Sequence, residues 1–438
     1  MKVVPLKPQG ASARGKAPEK SGLIAALDVG SNKVCCLIAR VSPSRRKLPG
    51  ARNEHEIRII GVGHHASRGV HGGAVTDLDE AERAIRLAVD AAERMAEVTI
   101  SEVFVNVSGG RPQCQRYAGA IGITGQTVTE ADVAALLNGT IERIDPGKRI
   151  ILHAAPMKFD LDEAKGVRDP VGMYGENLSA DLNVVTIEPN AARNLALVVE
   201  RCHLSIAGLA AAPYASGRAV LVQDEQELGV TLIEMGASTT SIAVFSEGHL
   251  IHSDVIPIGG RHITNDLGCG LSTTLAHAER LKTLHGSALP SVWDEREMLS
   301  VPLVGERGAE TVQKIPRSML TRIIQPRIEE IFEMVGERLA ATPATDRIAR
   351  RVVLTGGASQ LTGAREVAAQ VLDRHVRLGS PHPLPGLPEA AQNPSFAVAV
   401  GLLHYGVKPD HGIIALPSTR KGPMPAYLKR VGRWFKGS

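Results

Sequence analysis

The sequence predicts an α/β protein made of two similar halves around a cleft, and three observations support this. The chain has 438 residues, more than one hydrophobic core usually organises, so at least two domains are expected. Apolar residues make up 43% of the chain but aromatic residues only 3%, which favours Ala, Val, Ile and Leu packed between sheets and helices over a β-sandwich. A strand–turn–strand pattern also occurs twice.

The first half is predicted to comprise residues 21–100 and 189–228. Residues 1–20, which precede it, are basic and bury too little apolar surface to fold, so a disordered extension is expected. The stretch "GLIAALDVGSNKVCCLIARV" predicts two strands around a glycine-containing turn, and "EIRIIGVGHHAS" predicts a third strand. In "TDLDEAERAIRLAVDAAERMA" the apolar residues follow helical spacing, with Thr76 or Asp77 as N-cap.

Residues 101–188 are predicted to form an inserted strand-helix-strand-strand subdomain. "SEVFVNVSGG" predicts its first strand, and "TVTEADVAALLNGTIERI" a helix whose start carries a capping signature at Thr129 and Asp132. "RIILHAAPMKFDLD" and "ADLNVVTIEP" predict the remaining two strands. The helix predicted by "NAARNLALVVERCHL" then returns the chain to the first half.

The second half repeats the plan of the first. "ALDVGSNKVCCLIA" and "LIEMGASTTSIAVF" each consist of an apolar strand, an acid, one residue, a glycine, small polar residues and a second apolar strand, about 200 residues apart. The acids are Asp28 and Glu234. This repetition predicts a duplicated domain, with a second core at residues 229–260 and 346–406 and an outer subdomain at residues 261–345.

Each hairpin turn carries groups that suit phosphate. A tight turn of Gly with Ser or Thr presents backbone N–H groups and small hydroxyls to one point, and two facing turns could grip a triphosphate from both sides. Asp28 and Glu234 end the entering strands, where each could hold Mg²⁺ through its water shell. In "RRVVLTGGASQLTGAREVAAQVL" a strand, a turn at Gly356 and Gly357, and a helix would let a base or phosphate approach the backbone. The turn is not G-x-G-x-x-G, which excludes a Rossmann site.

Charge and cysteine content exclude several classes of protein. Residues 1–20 carry a net charge of +4 and residues 420–438 carry +6, whereas the chain between them has 39 basic and 45 acidic residues. The positive charge therefore lies in two tails and not on a nucleic-acid-binding face. The five cysteines show no C-x-x-C spacing, which indicates reduced thiols and no zinc site. No apolar run approaches the roughly 18–20 residues of a spanning helix, so a cytoplasmic protein is expected.

The C-terminus is predicted to be a tethered membrane-binding helix. Residues 407–423 are punctuated by Pro and Gly, as in a flexible linker. Residues 424–438 have one apolar helix stripe and basic flanks, a pattern that suits an anionic bilayer interface. Docking on the body of the protein is the alternative. The predicted membrane-contacting residues are Leu428, Val431, Trp434 and Phe435 on the apolar side, and Lys429, Arg430, Arg433 and Lys436 on the basic side.

Together the two hairpins and the Gly-Gly turn resemble the nucleotide-binding core of the actin-like ATPase superfamily, which includes actin, sugar kinases and heat-shock chaperone ATPases. The resemblance implies ATP and Mg²⁺ as cofactors, with Asp28 and Glu234 as catalytic and metal-binding residues. The implied nucleotide-binding residues are Gly30, Ser31, Asn32 and Lys33 in the first phosphate loop; Gly236, Ala237, Ser238, Thr239 and Thr240 in the second; and Gly356, Gly357, Ala358 and Ser359 in the adenosine loop.

Two features of the sequence bear on the ligand contacts and the activity that this resemblance implies. In "STTLAHAERLKTLHG", Glu279 and Lys282 share a helix face where the superfamily often contacts ribose and base; an i,i+3 surface ion pair is the alternative. The second loop, "EMGAST", begins with Glu where the superfamily usually has Asp followed by several glycines. Because hydrolysis depends on sub-ångström placement of the attacking water, slow ATPase activity or none is expected.

The insert at 101–188 and the basic aromatic end further resemble the FtsA family of bacterial cell-division proteins, over about residues 21–438. "GSNKV" and "PSFAVAVGLL" also match that layout. The resemblance implies an actin homologue that polymerises with itself at the cytoplasmic face of the inner membrane and tethers FtsZ filaments to it during septum formation. It also implies that the insert contributes polymer contacts and recruits later division proteins.

The FtsZ C-terminal tail is expected on the outer subdomain. "RSMLTRIIQPRIEEIFEMVGERL" predicts a helix with Pro326 at its start or at a kink, and the resemblance places the tail near Arg327 and Glu330. The predicted core positions of this helix are Ile328, Ile331, Phe332, Val335 and Leu339.

Two alternatives within the superfamily remain from the sequence. One is a pilus-assembly relative, which is not expected to carry the C-terminal helix. The other is a metabolic sugar kinase, which needs a carboxylate as general base, with Asp254 and Asp266 as candidates. A chaperone would need a substrate domain after the ATPase, and only about 30 residues follow "NPSFAVAVGLLHYG".

Overall fold

A computed structural model of the protein describes residues 22–43, 55–125, 127–305, 312–342 and 350–407. The predicted disordered extension at 1–20, and nearly all of the predicted linker and all of the membrane helix, lie outside these ranges. None of the helices in the described ranges is both long and apolar enough to cross a membrane.

The first half opens with the predicted hairpin. Its elements are β1 (Gly22–Val29), β2 (Lys33–Pro43), β3 (His55–Ala66), the short β4 (Val70–His71) and β5 (Ala74–Val75), α1 (Leu78–Ala96) and β6 (Glu102–Val107). β1 and β2 pair antiparallel with the turn at residues 30–32 between them. Asp77, not Thr76, is the N-cap of α1, because its carboxylate accepts hydrogen bonds of 3.0 Å from the backbone N–H groups of Asp79 and Glu80.

Strand β6 corrects the predicted boundary of the insert. It pairs parallel with β1, with Ala26 opposite Phe104, and therefore belongs to the sheet of the first half. Val103, Val105 and Val107 are all buried there. A continuous apolar run is typical of a central parallel strand covered on both faces, so "SEVFVNVSGG" was wrongly predicted to begin the insert at residue 101.

The insert follows β6 and has its own small core. It comprises β7 (Gln113–Gly122), α2 (Glu130–Glu142), β8 (Ile150–Leu161), β9 (Ala164–Val167) and β10 (Asn177–Ile187), in a sheet of order β7-β10-β8-β9. Leu136 and Ile141 of α2 pack on Leu178 and Leu182 of β10 within one cluster. The predicted capping box is confirmed, since Thr129 N–H donates to Asp132 Oδ2 at 2.9 Å and Asp132 N–H to Thr129 Oγ1 at 3.2 Å. The sequence reading missed β7 and β9.

The remaining elements complete two sheets of identical order. The first half continues with α3 (Pro189–Arg201), β11 (Ser205–Ala211), α4 (Ala212–Val220) and α5 (Gln223–Leu228). The rest of the described chain forms β12 (Val230–Met235), β13 (Thr240–Ser246), β14 (His249–Ile256), α6 (Gly260–Gly270), α7 (Leu275–His285), β15 (Met298–Pro302), β16 (Val312–Pro316), α8 (Ser318–Ala340), β17 (Arg351–Thr355), α9 (Ala364–Leu372), β18 (His375–Leu378) and α10 (Ala397–Val407). The sheets run β11-β6-β1-β2-β3 and β18-β17-β12-β13-β14. Each strand of one five-stranded sheet thus has a counterpart in the other, as the repeated hairpin predicts.

The outer subdomain of the second half is built on α6, α7, the β15–β16 hairpin and α8. The predicted core positions of α8, from Ile328 to Leu339, are buried against the second-half core. Pro326 lies inside α8, which begins eight residues earlier at Ser318, so of the two predicted positions the start of the helix is excluded.

Helix α10 corrects the predicted division of the two halves. Residues 397–406 were assigned to the second half, but α10 packs with α4 and β1 in the core of the first half. The helix is apolar on all sides, which suits full burial and explains why its partner could not be inferred from one amphipathic face. A Cβ on Gly401 would lie 1.7 Å from the Ala215 carbonyl oxygen, so only glycine allows this approach of α10 to α4. Near its end, Gly406 lies against Ile24 and Phe104.

Candidate functional site

A cleft of about 780 Å³ lies between the two halves, and both hairpin turns open into it. All of the predicted nucleotide-binding and metal-binding residues line it except Thr240 and Ser359. The predicted residues on its wall are Asp28, Gly30, Ser31, Asn32, Lys33, Glu234, Gly236, Ala237, Ser238, Thr239, Glu279, Lys282, Gly356, Gly357 and Ala358. Residues that lie far apart in the sequence therefore meet at one place.

Thr240 and Ser359 were wrongly predicted to face the ligand. The Thr240 hydroxyl is buried and donates to the Ile258 carbonyl oxygen at 2.8 Å. The Ser359 hydroxyl is buried and donates to the Gly356 carbonyl oxygen at 2.7 Å. Both hydroxyls satisfy backbone carbonyls and so hold the shape of the loops that line the cleft.

The two hairpin turns have the same backbone geometry. Gly30 N–H donates to the Lys33 carbonyl oxygen at 3.0 Å, and Gly236 N–H donates to the Thr239 carbonyl oxygen at 2.8 Å. A Cβ on Gly30 would fall 2.8 Å from the Lys33 carbonyl oxygen, so the first turn requires glycine. The turns are therefore equivalent in conformation as well as in sequence.

The Gly356 loop packs on the second turn. Gly356 has a φ of +87°, and a Cβ there would lie 2.5 Å from the Met235 carbonyl oxygen. Both the positive φ and the close approach require glycine. The loop is therefore held against the strand that carries Glu234. The backbone at Gly357, which has no side chain, lines the cleft.

Asp28 and Glu234 place two buried carboxyl groups at the floor of the cleft. Burial raises the pKa of Asp28 to about 6, opposed in part by the Lys33 ammonium. Burial raises the pKa of Glu234 to about 8, and the nearby Asp28 charge raises it further. Glu234 Oε2 and Ser238 Oγ are both buried and lack a hydrogen-bond partner in the described part of the chain. Buried carboxylates in this state fit a cation with polar ligand groups above it.

The donor set suits Mg²⁺ held jointly by protein and ligand. Within the described residues no group of three or more His, Cys, Asp or Glu side chains could hold a metal ion. Two carboxylates can still bind Mg²⁺, which usually keeps several waters and takes its other ligands from phosphates. The residues present therefore fit a magnesium–phosphate complex better than a metal site formed by protein alone.

Lys33 connects the first turn to the segment that leads into α10. Its ammonium donates to the Ser395 carbonyl oxygen at 2.9 Å and to Ser395 Oγ at 3.1 Å, and it lies 3.3 Å from the ring centroid of Phe396. Burial lowers the pKa of Lys33, while Cys35 and Asp28 oppose that shift. Ser395 also lines the cleft, and no sequence signal assigned it there.

Glu279 and Lys282 form more than a surface ion pair. The Lys282 ammonium contacts Glu279 Oε2 at 2.6 Å, Thr264 Oγ1 at 2.8 Å and the Gly260 carbonyl oxygen at 3.0 Å. The Lys282 side chain is only 15% exposed. The pair therefore fastens α7 to the start of α6 along one wall of the cleft.

Three further residues of the cleft region escaped sequence reasoning. Asn106 is buried; its Oδ1 accepts from Val29 N–H at 2.7 Å, and its Nδ2 donates to Ser108 Oγ at 2.9 Å. Ser108 itself lines the cleft. Arg261 also lines it, next to the second turn. The motif "IGGRH" at the start of α6 was the available signal for Arg261, since paired glycines before a helix often mark a close ligand approach.

Arg327 and Glu330 lie on α8, away from the cleft. The Arg327 guanidinium forms a two-pronged contact with Asp266 of α6, at 2.6 and 3.0 Å, and also contacts Glu330. Asp254, the other candidate kinase base, lies 3.3 Å from Arg338. Both candidate bases are thus ion-paired and neither lines the cleft, which removes the structural support for the sugar-kinase alternative.

Comparisons with known proteins identify the family. Residues 231–401 match the model "Cell division protein FtsA", and residues 109–186 match the model "SHS2 domain inserted in FTSA". Cell division protein FtsA of Agrobacterium fabrum is 45% identical over 425 residues, which cover 96% of both chains. The chain belongs to the FtsA family. Its Escherichia coli K12 relative is 34% identical over 94% of this chain and 97% of that protein. The pilus-assembly alternative is therefore set aside, and the SHS2 match agrees with an insert that starts after β6.

Solved structures confirm the predicted actin-like fold. A PilM-PilN type IV pilus biogenesis complex aligns with a TM-score of 0.59 and 16% identity, covering 90% of this chain and 100% of that one. MreB5 of Spiroplasma citri bound to ADP aligns with a TM-score of 0.51 and 13% identity, covering 89% and 97%. At these identities the likeness is one of fold, and it agrees with the duplicated sheets described above.

Proposed function

We propose that this FtsA-family protein binds ATP with Mg²⁺, polymerises at the cytoplasmic face of the inner membrane at the division site, and tethers FtsZ filaments there during septum formation. The observation that carries the nucleotide part is the convergence of two equivalent glycine turns and two buried acids on one cleft. MreB5 of Spiroplasma citri, which shares the fold, has been solved with ADP and with AMPPNP.

Each wall of the cleft has a proposed role. The turns at Gly30 and Gly236 would cradle the phosphates with backbone N–H groups. Asp28 and Glu234 would hold Mg²⁺, which neutralises phosphate charge. The backbone at Gly357 would accept the base, and the Glu279–Lys282 wall would contact the ribose.

Slow hydrolysis or none follows from the state of Glu234. Burial raises its pKa to about 8, so its carboxyl is largely protonated near pH 7 until a cation displaces the proton. Once Mg²⁺ has displaced that proton, the carboxylate is engaged by the cation and is a poor general base for water. ATP would then act chiefly as a structural ligand that joins the two halves.

The proposed tether is residues 424–438, reached through the linker at 407–423. Burying each large apolar residue contributes at most about 1.5–3 kcal/mol, and each basic residue about 1 kcal/mol at an anionic surface. Ordering of the helix offsets much of this. A single tail would bind weakly and reversibly, and several tails on one polymer would bind far better through effective concentration.

Arg327 and Glu330 are the proposed contact point for the FtsZ C-terminal tail. The Arg327 side chain is 28% exposed and is already shared between Asp266 and Glu330. A tail that binds through Arg327 would have to compete with these two carboxylates, which favours modest affinity. The insert is proposed to contribute polymer contacts and to bind later division proteins.

Flotation on anionic liposomes tests this proposal. The full chain and a version stopped at Pro423 are compared, each with Mg²⁺ and ATP and each without nucleotide. Flotation of the full chain alone, enhanced by ATP, supports a nucleotide-dependent polymer anchored by the tail. Flotation of both versions, or of neither, would remove the tail from the function.

A further inference from the structure

We infer that Arg261 binds the terminal phosphate of a nucleoside triphosphate and so sets the preference of the cleft for tri- over diphosphate. The inference rests on the proposed nucleotide site and adds a residue that neither hairpin motif contains. It comes from the position of Arg261 between the two turns, with its backbone bonded to the second and its side chain to the first.

The backbone of Arg261 is fixed to the second turn. Its N–H donates to the Ala237 carbonyl oxygen at 2.7 Å, and the preceding Gly260 N–H donates to the Gly236 carbonyl oxygen at 3.0 Å. A Cβ on Gly259 would lie 2.6 Å from the Gly236 carbonyl oxygen, which shows how closely the start of α6 approaches the loop. The backbone of Arg261 is therefore held against the second phosphate loop.

The side chain of Arg261 crosses to the first half. Its Nη2 donates to the Ser31 carbonyl oxygen at 2.6 Å, in the first turn. Its Nη1 lies 2.9 Å from Nδ1 of His71, at the end of β4. One guanidinium thus spans the gap between the two turns that are proposed to grip the phosphates.

Among the described residues, no acid neutralises the charge of this guanidinium. In the described ranges no carboxylate lies within ion-pairing distance of Arg261, in contrast to Arg317, Arg327, Arg338 and Arg377, each of which pairs with an acid. A carbonyl oxygen and an imidazole satisfy N–H groups but leave the positive charge uncompensated. Guanidinium forks match phosphate oxygens with two parallel charge-assisted hydrogen bonds, so a phosphate between the turns is the fitting partner.

The part of the nucleotide that Arg261 would contact follows from the roles proposed for the walls of the cleft. The Gly357 backbone and the Glu279–Lys282 pair form the wall assigned to base and ribose. Arg261 contacts Ser31 in the first turn, which is the phosphate end. Loss of the guanidinium should therefore weaken binding most for a triphosphate, less for a diphosphate and not at all for a monophosphate.

The test is isothermal titration of AMPPNP, ADP and AMP, each with Mg²⁺, into the full chain and three variants. Arg261→Gln should lower AMPPNP affinity roughly tenfold to a hundredfold, as expected for a lost charged hydrogen bond, and leave AMP affinity unchanged. Arg261→Lys should retain part of the preference. His71→Ala is the matched control, because it removes a partner of Arg261 without removing the charge, and it should leave the AMPPNP-to-AMP affinity ratio unchanged.

The outcomes separate this inference from the proposed function. If the unmodified chain binds the nucleotides but Arg261→Gln keeps its AMPPNP-to-AMP affinity ratio, the inference is overturned and the nucleotide site stands. Equal loss for all three nucleotides, with a lower melting temperature of the nucleotide-free variant, would make Arg261 a purely structural link and also overturn it. If the unmodified chain binds none of the three, both proposals fail.

Discussion

The side-chain amide of Asn183, in the insert, donates a hydrogen bond of 2.9 Å to the backbone carbonyl of Leu250, in strand β14 of the second half. Both residues are buried. Nearby, Cys114 Sγ accepts from Ser253 N–H at 3.1 Å, and Met157 packs into the second-half core. The insert follows a strand of the first half in sequence, yet it is docked on the edge of the second sheet. Its position therefore depends on both sides of the cleft.

Replacing Asn183 should release this contact. Asn183→Ala leaves the buried Leu250 carbonyl without its donor, which should lower the free energy of unfolding by about 1–3 kcal/mol. Urea denaturation measures this, and faster amide hydrogen exchange in β14 should accompany it. Asn177→Ala, at an exposed position at the start of the same strand β10, is the control. Equal stability of the two variants would mean that the contact contributes nothing.

Glu234 should make the nucleotide-free protein less stable as pH rises. The folded protein raises the pKa of Glu234 from 4.5 to about 8, so it holds a proton that the unfolded chain loses above about pH 4.5. Stability from this group is complete below the unfolded pKa and declines up to about pH 8. Glu234→Gln removes the titration, so the melting temperature of the variant should exceed that of the unmodified protein at pH 8.5 by more than at pH 5.

Magnesium gives the second half of this test. In the unmodified protein, Mg²⁺ with AMPPNP should raise the melting temperature more at pH 8.5 than at pH 6, because the cation competes with the proton on Glu234. Glu234→Gln should lose most of that increment. A pH-independent increment in both proteins would show that Glu234 does not hold the metal.

Arg327 should be required for binding the FtsZ tail. Arg327→Glu removes the guanidinium and puts a third acid beside Asp266 and Glu330, so the affinity for the FtsZ peptide should fall at least tenfold. Fluorescence anisotropy with a labelled FtsZ C-terminal peptide measures this. Arg322→Glu is the matched control, since Arg322 lies on the same helix and is 77% exposed. Unchanged affinity of Arg327→Glu would move the site elsewhere.

Trp434 should be required at the membrane. Trp434→Glu places a charge on the predicted apolar stripe and repels anionic lipid, so liposome flotation and membrane localisation should be lost while AMPPNP affinity is unchanged. The chain offers a matched control in its other tryptophan, Trp293, which is 64% exposed on the body of the protein. Trp293→Glu should leave flotation intact. A Trp434→Glu protein that still floats would refute the tail as anchor.

The sequence predicted those features that depend on local pattern. The repeated acid-x-Gly turns revealed both the duplicated halves and most of the cleft, because such a turn fixes its own backbone geometry. Sequence patterns failed to predict features that depend on which elements pair in the tertiary structure. The apolar sequence of β6 does not predict which sheet the strand joins. The sequence of α10 is apolar on all sides and does not predict which core the helix packs into.

The directions of individual side chains were the other feature that sequence patterns did not predict. Thr240 and Ser359 follow the same pattern as the cleft-lining hydroxyls beside them, but their hydroxyls turn to backbone carbonyls that only the folded chain supplies. Arg261 was missed for the opposite reason. Arg261 and Ser31, which are joined by a hydrogen bond, lie 230 positions apart in the chain. Local spacing patterns do not predict contacts over that separation.

The described chain begins in β1 and ends in α10, and Gly406 lies against Ile24, so the two ends of the described chain lie on one side of the first half. Residues 1–20 and 420–438 carry +4 and +6, while the chain between them is net acidic. If the proposed membrane function holds, basic segments joined at this side would favour orientations that turn it toward an anionic surface, within a Debye length of about 8–10 Å. The orientation of the protein would then be chosen before the surface is touched.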